Sequence, residues 1–160
     1  PHMLEDLSRL RMAAYIHDIG MVSLPDSLLR KPGLLTVDER EQLRSVPLAA
    51  RDLLEQLDEF PVMILRSVVH QRERWDGSGD PDHLAGNAIP RGAQVIAVAD
   101  AMDAMLHARA HRASVTFDVA LEQIRQRAGT QFNPELAEAA EILRPIAEAV
   151  KLEEEQAGVV

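Results

Sequence analysis

A histidine and an aspartate that could bind a metal ion stand side by side at His17 and Asp18, where an apolar helix is expected to end. Imidazole nitrogens and carboxylate oxygens are both common metal ligands. Neighbouring side chains on a helix point about 100° apart, so both can reach one ion only if the helix stops there. A capping aspartate beside a half-buried histidine explains the pair equally well, and the dipeptide alone leaves both interpretations open.

A second polar segment, residues 70–73 (His-Gln-Arg-Glu), follows another apolar helix. It leads into residues 74–92, which contain four glycines and two prolines. This composition predicts a long ordered loop, and loops of that length are often functional. Trp75, the only tryptophan, is expected to anchor the loop to the rest of the domain.

The remaining segments have the apolar spacing of helices, and none alternates with period two. The first helix is expected to end at Gly20. Thr36 followed by Glu39 is a capping-box pattern, and residues 93–106 are apolar almost all round, which predicts a buried central helix. The pattern therefore predicts an all-α fold of about seven helices. Other helix starts are expected at Pro47, Pro61, Thr116 and Pro134, and Pro145 is expected to kink or restart the last helix.

Composition limits the class of protein. The 160 residues, 46% of them apolar, suit one domain with a real core. The absence of cysteine excludes disulfides and thiolate metal sites, and a net charge of −9 disfavours nucleic acid as a partner. No apolar run approaches the roughly 20 residues that cross a membrane. No basic signal segment is recognisable either. We therefore expect a cytoplasmic protein with no membrane partner.

Three segments are distinguished along the chain. Residues 1–3 (Pro-His-Met) are interpreted as a cloning remnant, residues 4–150 as the folded domain, and residues 151–160 as a charged C-terminal tail that is expected to fray.

Residues 70–81 closely resemble the signature of HD-GYP domains, in which two histidines and a glutamate lead into Arg-Trp-Asp-Gly-Ser-Gly-Tyr-Pro. Four further stretches agree with that family in order and spacing. The resemblance covers roughly residues 4–143, and the five elements together are far more specific than any one of them. The four further stretches are His17–Gly20, Pro25–Gly33, Ile89–Asp100 and Gly129–Pro134.

This resemblance implies an HD-type helical bundle whose two or three metal ions create a hydroxide that hydrolyses cyclic di-GMP. It implies that His17, Asp18 and Asp100 retain ligand positions, a set that could hold one divalent ion. Asp103 could assist, although a solvated helix carboxylate is the simpler interpretation. The family also has one or two helices upstream of its His-Asp pair, so residues 4–150 are interpreted as a domain that lacks them.

Other ligand positions of the family are filled by side chains that bind metals poorly or not at all. Val46 stands at the histidine of a His-Pro pair, and Gln71 and Arg72 stand at the paired histidines. Valine has no donor atom, and arginine stays protonated. We therefore expect no di-metal centre, and either no cofactor or a single divalent ion. We also predict that Arg72 replaces the ion and pairs with Asp18 or Asp100, with drift into solvent as the alternative.

The resemblance also suggests where a ligand or partner would bind. Arg109 and Arg112 match two arginines of a family segment and could contact phosphate, or they could be ordinary surface arginines. In the family, the Gly-Tyr-Pro loop is linked to contacts with GGDEF domains. The residues expected in that partner loop are Trp75, Asp76, Gly77, Gly79 and Asp80, the last of which replaces the family's tyrosine.

Three functions follow from these observations. The first is a degenerate HD-GYP domain that serves as a regulatory or interaction module in cyclic di-GMP signalling, with a GGDEF-type domain, another signalling protein or cyclic di-GMP as its partner. The second is a one-metal phosphohydrolase that acts on a nucleotide or phosphodiester. The third is a purely structural helix bundle that forms a homodimer.

Overall fold

The computed structural model describes residues 2–107 and 113–157, with side chains in 5–107 and 113–153. Within these ranges the chain forms seven α-helices of at least eight residues and two shorter ones, and no strand. The predicted all-α fold is confirmed. The helices are α1 (His2–Ile16), α2 (Asp26–Leu29), α3 (Val37–Arg44), α4 (Val46–Glu55), α5 (Val62–Val69), α6 (Arg91–Leu106), α7 (Phe117–Gln126), α8 (Pro134–Ala139) and α9 (Arg144–Ala157). Short 3-10 segments span Ile19–Ser23, Gly86–Ala88 and Ala140–Leu143.

Local side-chain caps begin several of these helices where the sequence predicted them. The Thr36 hydroxyl accepts a hydrogen bond from the Glu39 amide at 3.2 Å, and the Glu39 carboxylate accepts one from the Thr36 amide at 2.7 Å. This reciprocal arrangement is the predicted capping box. The Thr116 hydroxyl caps α7 by accepting a hydrogen bond from the amide of Val119, without the reciprocal bond.

Helix α6 lies at the centre of the domain, as its apolar sequence predicted. Its first half contributes Ile96 to a core formed with α1, α4 and α5. Its second half contributes Val98, Met102 and Met105 to a second core formed with α7 and α8. A third, smaller cluster joins Val46 of α4 to Leu24 and Leu28.

The first helix ends earlier than predicted. Helix α1 stops at Ile16, and Gly20 lies inside the following 3-10 segment. Gly20 does not act as a helix terminator. A Cβ atom on Gly20 would lie 2.2 Å from the Val46 carbonyl oxygen, so the glycine allows this segment to pack closely against α4.

Both ends of the described chain are helical. Residues 151–157, predicted as part of a fraying tail, continue α9, with Pro145 in its first turn as expected. Proline is tolerated there because its missing N–H has no partner inside the helix. His2 and Met3, set apart as part of a cloning remnant, lie within α1. No helix in the described part of the chain is long and apolar enough to cross a membrane.

Candidate functional site

His17 and Asp18 lie in the break between α1 and the first 3-10 segment, so the helix does end where both side chains need it to. The His17 Nδ1 atom lies 2.7 Å from the Ala14 carbonyl oxygen, which can only accept, so Nδ1 donates. The other ring nitrogen, Nε2, lies 3.3 Å from an Asp18 carboxylate oxygen. This leaves Nε2 as the nitrogen available to a proton or to an ion.

Val46 closes the side of the site where the family has a histidine. Its side chain is only 4% exposed and packs with Leu24 and Leu28. The position is therefore part of an apolar core, and its side chain offers no donor atom to an ion.

Gln71 and Arg72 both donate hydrogen bonds to carbonyl oxygens at the ends of helices. The Gln71 side-chain amide donates to the carbonyl of His17, directly after α1. The Arg72 guanidinium donates to the carbonyl of Leu43 in the last turn of α3, at 2.7 Å. Carbonyls at helix ends lack partners within the helix and carry partial negative charge. The two side chains therefore tie the end of α5 to the ends of α1 and α3.

The predicted ion pair between Arg72 and Asp18 or Asp100 is wrong. Arg72 is exposed and makes no ion pair with either aspartate; its second contact is the Met21 sulfur at 3.9 Å. The physical reason is that the α3 carbonyl offers a nearby acceptor at the surface. The carboxylate of Asp18 instead faces the His17 ring.

The predicted ligand set does not converge. Asp100 is exposed on α6. Within the described ranges, no group of three or more His, Asp or Glu side chains could hold a metal ion. Asp103 is also exposed and lies 3.1 Å from His107.

An open cleft of about 480 Å³ lies beside the 3-10 segment Ile19–Ser23. Its lining includes Ser23, Ser45 and Asp52, and it contains none of the predicted ligands.

Glu73 organises the loop that follows, a role that the sequence analysis missed. Its side chain is buried, with 4% exposed. One carboxylate oxygen accepts from the Asp82 amide at 2.7 Å, and the other accepts from the Leu84 amide at 3.1 Å. The available signal was a lone acidic residue directly before a long Gly/Pro segment. Such a loop has many backbone N–H groups and few regular partners for them.

The backbone of Trp75 and Asp76 attaches the loop to the turn before α8. The Trp75 amide donates to the Gln131 carbonyl at 3.2 Å, and the Asp76 amide donates to the Thr130 carbonyl at 2.9 Å. The Trp75 side chain is partly buried and lies near Gly86. These contacts are consistent with the anchoring role expected of Trp75.

Two glycines of the loop serve different purposes. Gly77 has a φ of 81°, a conformation that L side chains rarely adopt. Gly79 does not have a positive φ. A Cβ atom there would lie 2.3 Å from the Arg74 amide nitrogen, so Gly79 is required by close packing of the loop on itself. Asp80 follows it and is partly buried.

The loop also carries a charged cluster that the sequence analysis missed. His70 is buried, and its Nε2 lies 3.0 Å from the Asp82 carboxylate, to which Arg51 of α4 donates at 2.9 Å. The hydrogen bond from His70, followed by the charges of Arg51 and His70, holds the pKa of Asp82 below its ordinary value. Burial acts in the opposite direction and is outweighed. Arg109 and Arg112, the predicted phosphate contacts, lie outside the described residues.

A family model with the description HD domain matches residues 3–136. The chain belongs to the HD domain family. Its relatives include the cyclic di-GMP phosphodiesterase response regulator RpfG of Xanthomonas campestris, 39% identical over 84% of this chain and 36% of the relative. A cyclic di-GMP phosphodiesterase of Thermotoga maritima is 33% identical over 83% of this chain and 36% of the relative. The HD-GYP resemblance of the sequence is thereby confirmed.

A solved structure has the same fold. It is the crystal structure of a cyclic GMP-AMP-specific phosphodiesterase of Vibrio cholerae, with a TM-score of 0.61 and 20% identity over 88% of this chain and 38% of that one. The chain spans about a third of the length of the two cyclic di-GMP phosphodiesterases named above.

The metal centre implied for an HD-GYP domain does not fit the residues described here. One ligand position is apolar and buried, and two others hold hydrogen-bond donors that are directed at backbone carbonyls. Only His17 and Asp18 remain close together.

Proposed function

We propose that this chain is a catalytically impaired HD-GYP domain that acts as a regulatory or interaction module in cyclic di-GMP signalling. The observation that carries the proposal is the pair of hydrogen bonds from Gln71 and Arg72 to helix-end carbonyls. Side chains at ligand positions that donate to the backbone cannot also activate a metal-bound water. The relatives named for cyclic di-GMP support that compound as the signal.

The loop from Trp75 to Asp80 is the proposed partner surface. The backbone bonds of Trp75 and Asp76 and the close packing at Gly79 order it, and Glu73 holds the adjoining amides of Asp82 and Leu84. An ordered loop loses little conformational entropy when a partner binds. We propose a GGDEF-type domain or another signalling protein as that partner.

The assay that tests this proposal is hydrolysis of cyclic di-GMP with added manganese or iron, together with elemental analysis of the purified chain. We expect no turnover above background and fewer than two transition-metal ions per chain. A variant that restores the family ligands (Val46→His, Gln71→His and Arg72→His) serves as a comparison, and it should bind more metal than the parent. Turnover by the parent that disappears in His17→Ala would overturn the proposal.

A one-metal phosphohydrolase is the second candidate. The adjacency of His17 Nε2 and the Asp18 carboxylate favours it, as do the phosphodiesterase names of the relatives. This candidate predicts one ion per chain, lost in both His17→Ala and Asp18→Asn. The regulatory proposal predicts that cyclic di-GMP or a partner protein binds equally well after treatment with a chelator.

A further inference from the structure

Helix α1 has an inner side that is buried and an outer side that is exposed and largely apolar. Ala13 on the inner side belongs to the core formed with α4, α5 and α6. On the outer side Leu7, Met12 and Tyr15 are exposed, and Tyr15 has 78% of its surface accessible to water. Ile19, just after the helix, is exposed as well. An exposed apolar surface of this kind marks a contact site for another molecule.

The spacing places a cation among these apolar side chains. Leu7, Arg11 and Tyr15 follow one another at intervals of four residues, and Met12 precedes Tyr15 by three. Residues three and four apart share one side of a helix, so the four side chains form one surface. Arg11 is exposed on it. Tyrosine and arginine are the residue types that often dominate the binding energy of protein interfaces.

The order of these groups makes the surface complementary to itself. In an antiparallel pair of α1 helices with the twofold axis level with Ala13, each residue lies opposite the one that is equally far beyond that position. Arg11 then faces Tyr15 of the second copy, and Tyr15 faces Arg11. A guanidinium over an aromatic ring is attracted by the ring's quadrupole. Leu7 lies opposite Ile19 of the second copy, so apolar groups also meet apolar groups.

The charges on this side of α1 favour the same arrangement. The Asp18 side chain is 62% exposed and lies three residues after Tyr15. In the antiparallel pair its carboxylate therefore lies within about one helical turn of Arg11 of the second copy. A parallel pair would instead place Arg11 beside Arg11 of the second copy, and like charges repel. The surface thus contains both a cation and its matching acceptors, at positions that a twofold axis brings together.

We propose that the outer side of α1 binds a second copy of this chain, antiparallel and related by a twofold axis. The residues of this surface are Leu7, Arg11, Met12, Tyr15, Asp18 and Ile19. One pair of helices buries less than the roughly 1,200–2,000 Å² of a standard interface. The dimer is therefore weak and forms in a concentration-dependent equilibrium. The surface shares no residue with the proposed partner loop, so the inference goes beyond the proposed function.

Sedimentation velocity of the full chain over a wide range of protein concentration tests the dimer. The sedimentation coefficient should rise from that of a monomer towards that of a dimer. Tyr15→Glu and Arg11→Glu should each raise the dissociation constant at least about tenfold, because the twofold axis makes each substitution act twice. Ile142→Glu changes another exposed apolar residue and should leave the equilibrium as it is. A chain that stays monomeric, or a dimer that both α1 variants leave intact, would show the proposal to be wrong.

Single introduced cysteines test the arrangement of the pair, because the chain has no cysteine of its own. Met12→Cys lies close to the twofold axis and should form a disulfide-linked dimer on oxidation. Leu7→Cys should link poorly to itself but readily to Ile19→Cys when the two variants are mixed. In a parallel pair Leu7→Cys would link to itself as readily as Met12→Cys, and that result would exclude the antiparallel arrangement. Far-UV circular dichroism checks that each variant keeps its helical fold.

Discussion

Two adjoining regions of the domain use their polar side chains in opposite ways. In the ligand region, formed by His17, Asp18, Val46, Gln71 and Arg72, side-chain donors bind the carbonyls at helix ends. In the loop region, residues 73–92, side-chain carboxylates accept backbone amides. The boundary falls between Arg72 and Glu73. The comparison teaches that side-chain donors join helix ends in the ligand region, whereas side-chain carboxylates order the backbone of the loop region.

The largest effect that tests this comparison is expected at Glu73. Glu73→Ala should lower the free energy of unfolding by about 3 kcal/mol, because two loop amides lose a charged acceptor in a buried position. Urea denaturation measures the change. The control Glu73→Gln keeps one acceptor oxygen and should lose less. Parent-like stability of Glu73→Ala would show that carboxylates do not hold the loop.

The next effect concerns the hydrogen bond between α5 and α1. Gln71→Ala should cost about 1 kcal/mol, the usual value for one hydrogen bond. Gln71→Glu should cost more, because a carboxylate would then face the His17 carbonyl, and both groups only accept. Gln56→Ala, which removes a local bond to Asp52 on an exposed surface, is the matched control. Chemical denaturation of all three variants would test this contact between α5 and α1. Equal losses of unfolding free energy at positions 71 and 56 would count against it.

Substitution of Arg72 should lower the free energy of unfolding less than substitution of Gln71, because Arg72 is exposed. Arg72→Ala should cost under about 1 kcal/mol. The loss should be the same at neutral pH and near pH 4, because the Leu43 carbonyl does not titrate. Thermal melts of the parent and variant, with Arg44→Ala as a surface control, give the comparison. A cost in stability that shrinks in acid, or that vanishes when Asp18 and Asp100 are both asparagine, would instead support an ion pair between Arg72 and these aspartates.

The smallest effect is expected from Asp82 in acid. Its pKa is lowered in the folded state, so its contribution is complete above the ordinary value of 3.8 and is lost as the pH falls through the folded value. Because the side chain is 42% exposed, the contribution should be under about 1 kcal/mol. The difference in unfolding free energy between parent and Asp82→Asn should therefore shrink below that pH. Asp58→Asn, an exposed aspartate, should show no such change.

Much of the fold follows from local sequence patterns. Apolar spacing, the Thr36–Glu39 capping box and the Gly/Pro segment predicted an all-α fold, a central α6 and a long ordered loop, and all three are observed. Helical periodicity and caps depend on residues within a few positions of each other, so the sequence displays them directly. The predicted end of α1 was wrong because Gly20 is required by close packing against α4, which is distant in sequence, and does not terminate the helix.

The sequence by itself determined which side chains at the ligand positions could not bind a metal, since that property belongs to valine and arginine wherever they stand. Only the tertiary structure decided what those side chains do instead. Arg72 binds the end of α3, and Gln71 the end of α1, across 29 and 54 residues of chain. Such contacts depend on which helix ends the packing of the cores brings together. The free energy of one hydrogen bond is too small to dictate that packing, so the partners of these side chains are set by the fold as a whole.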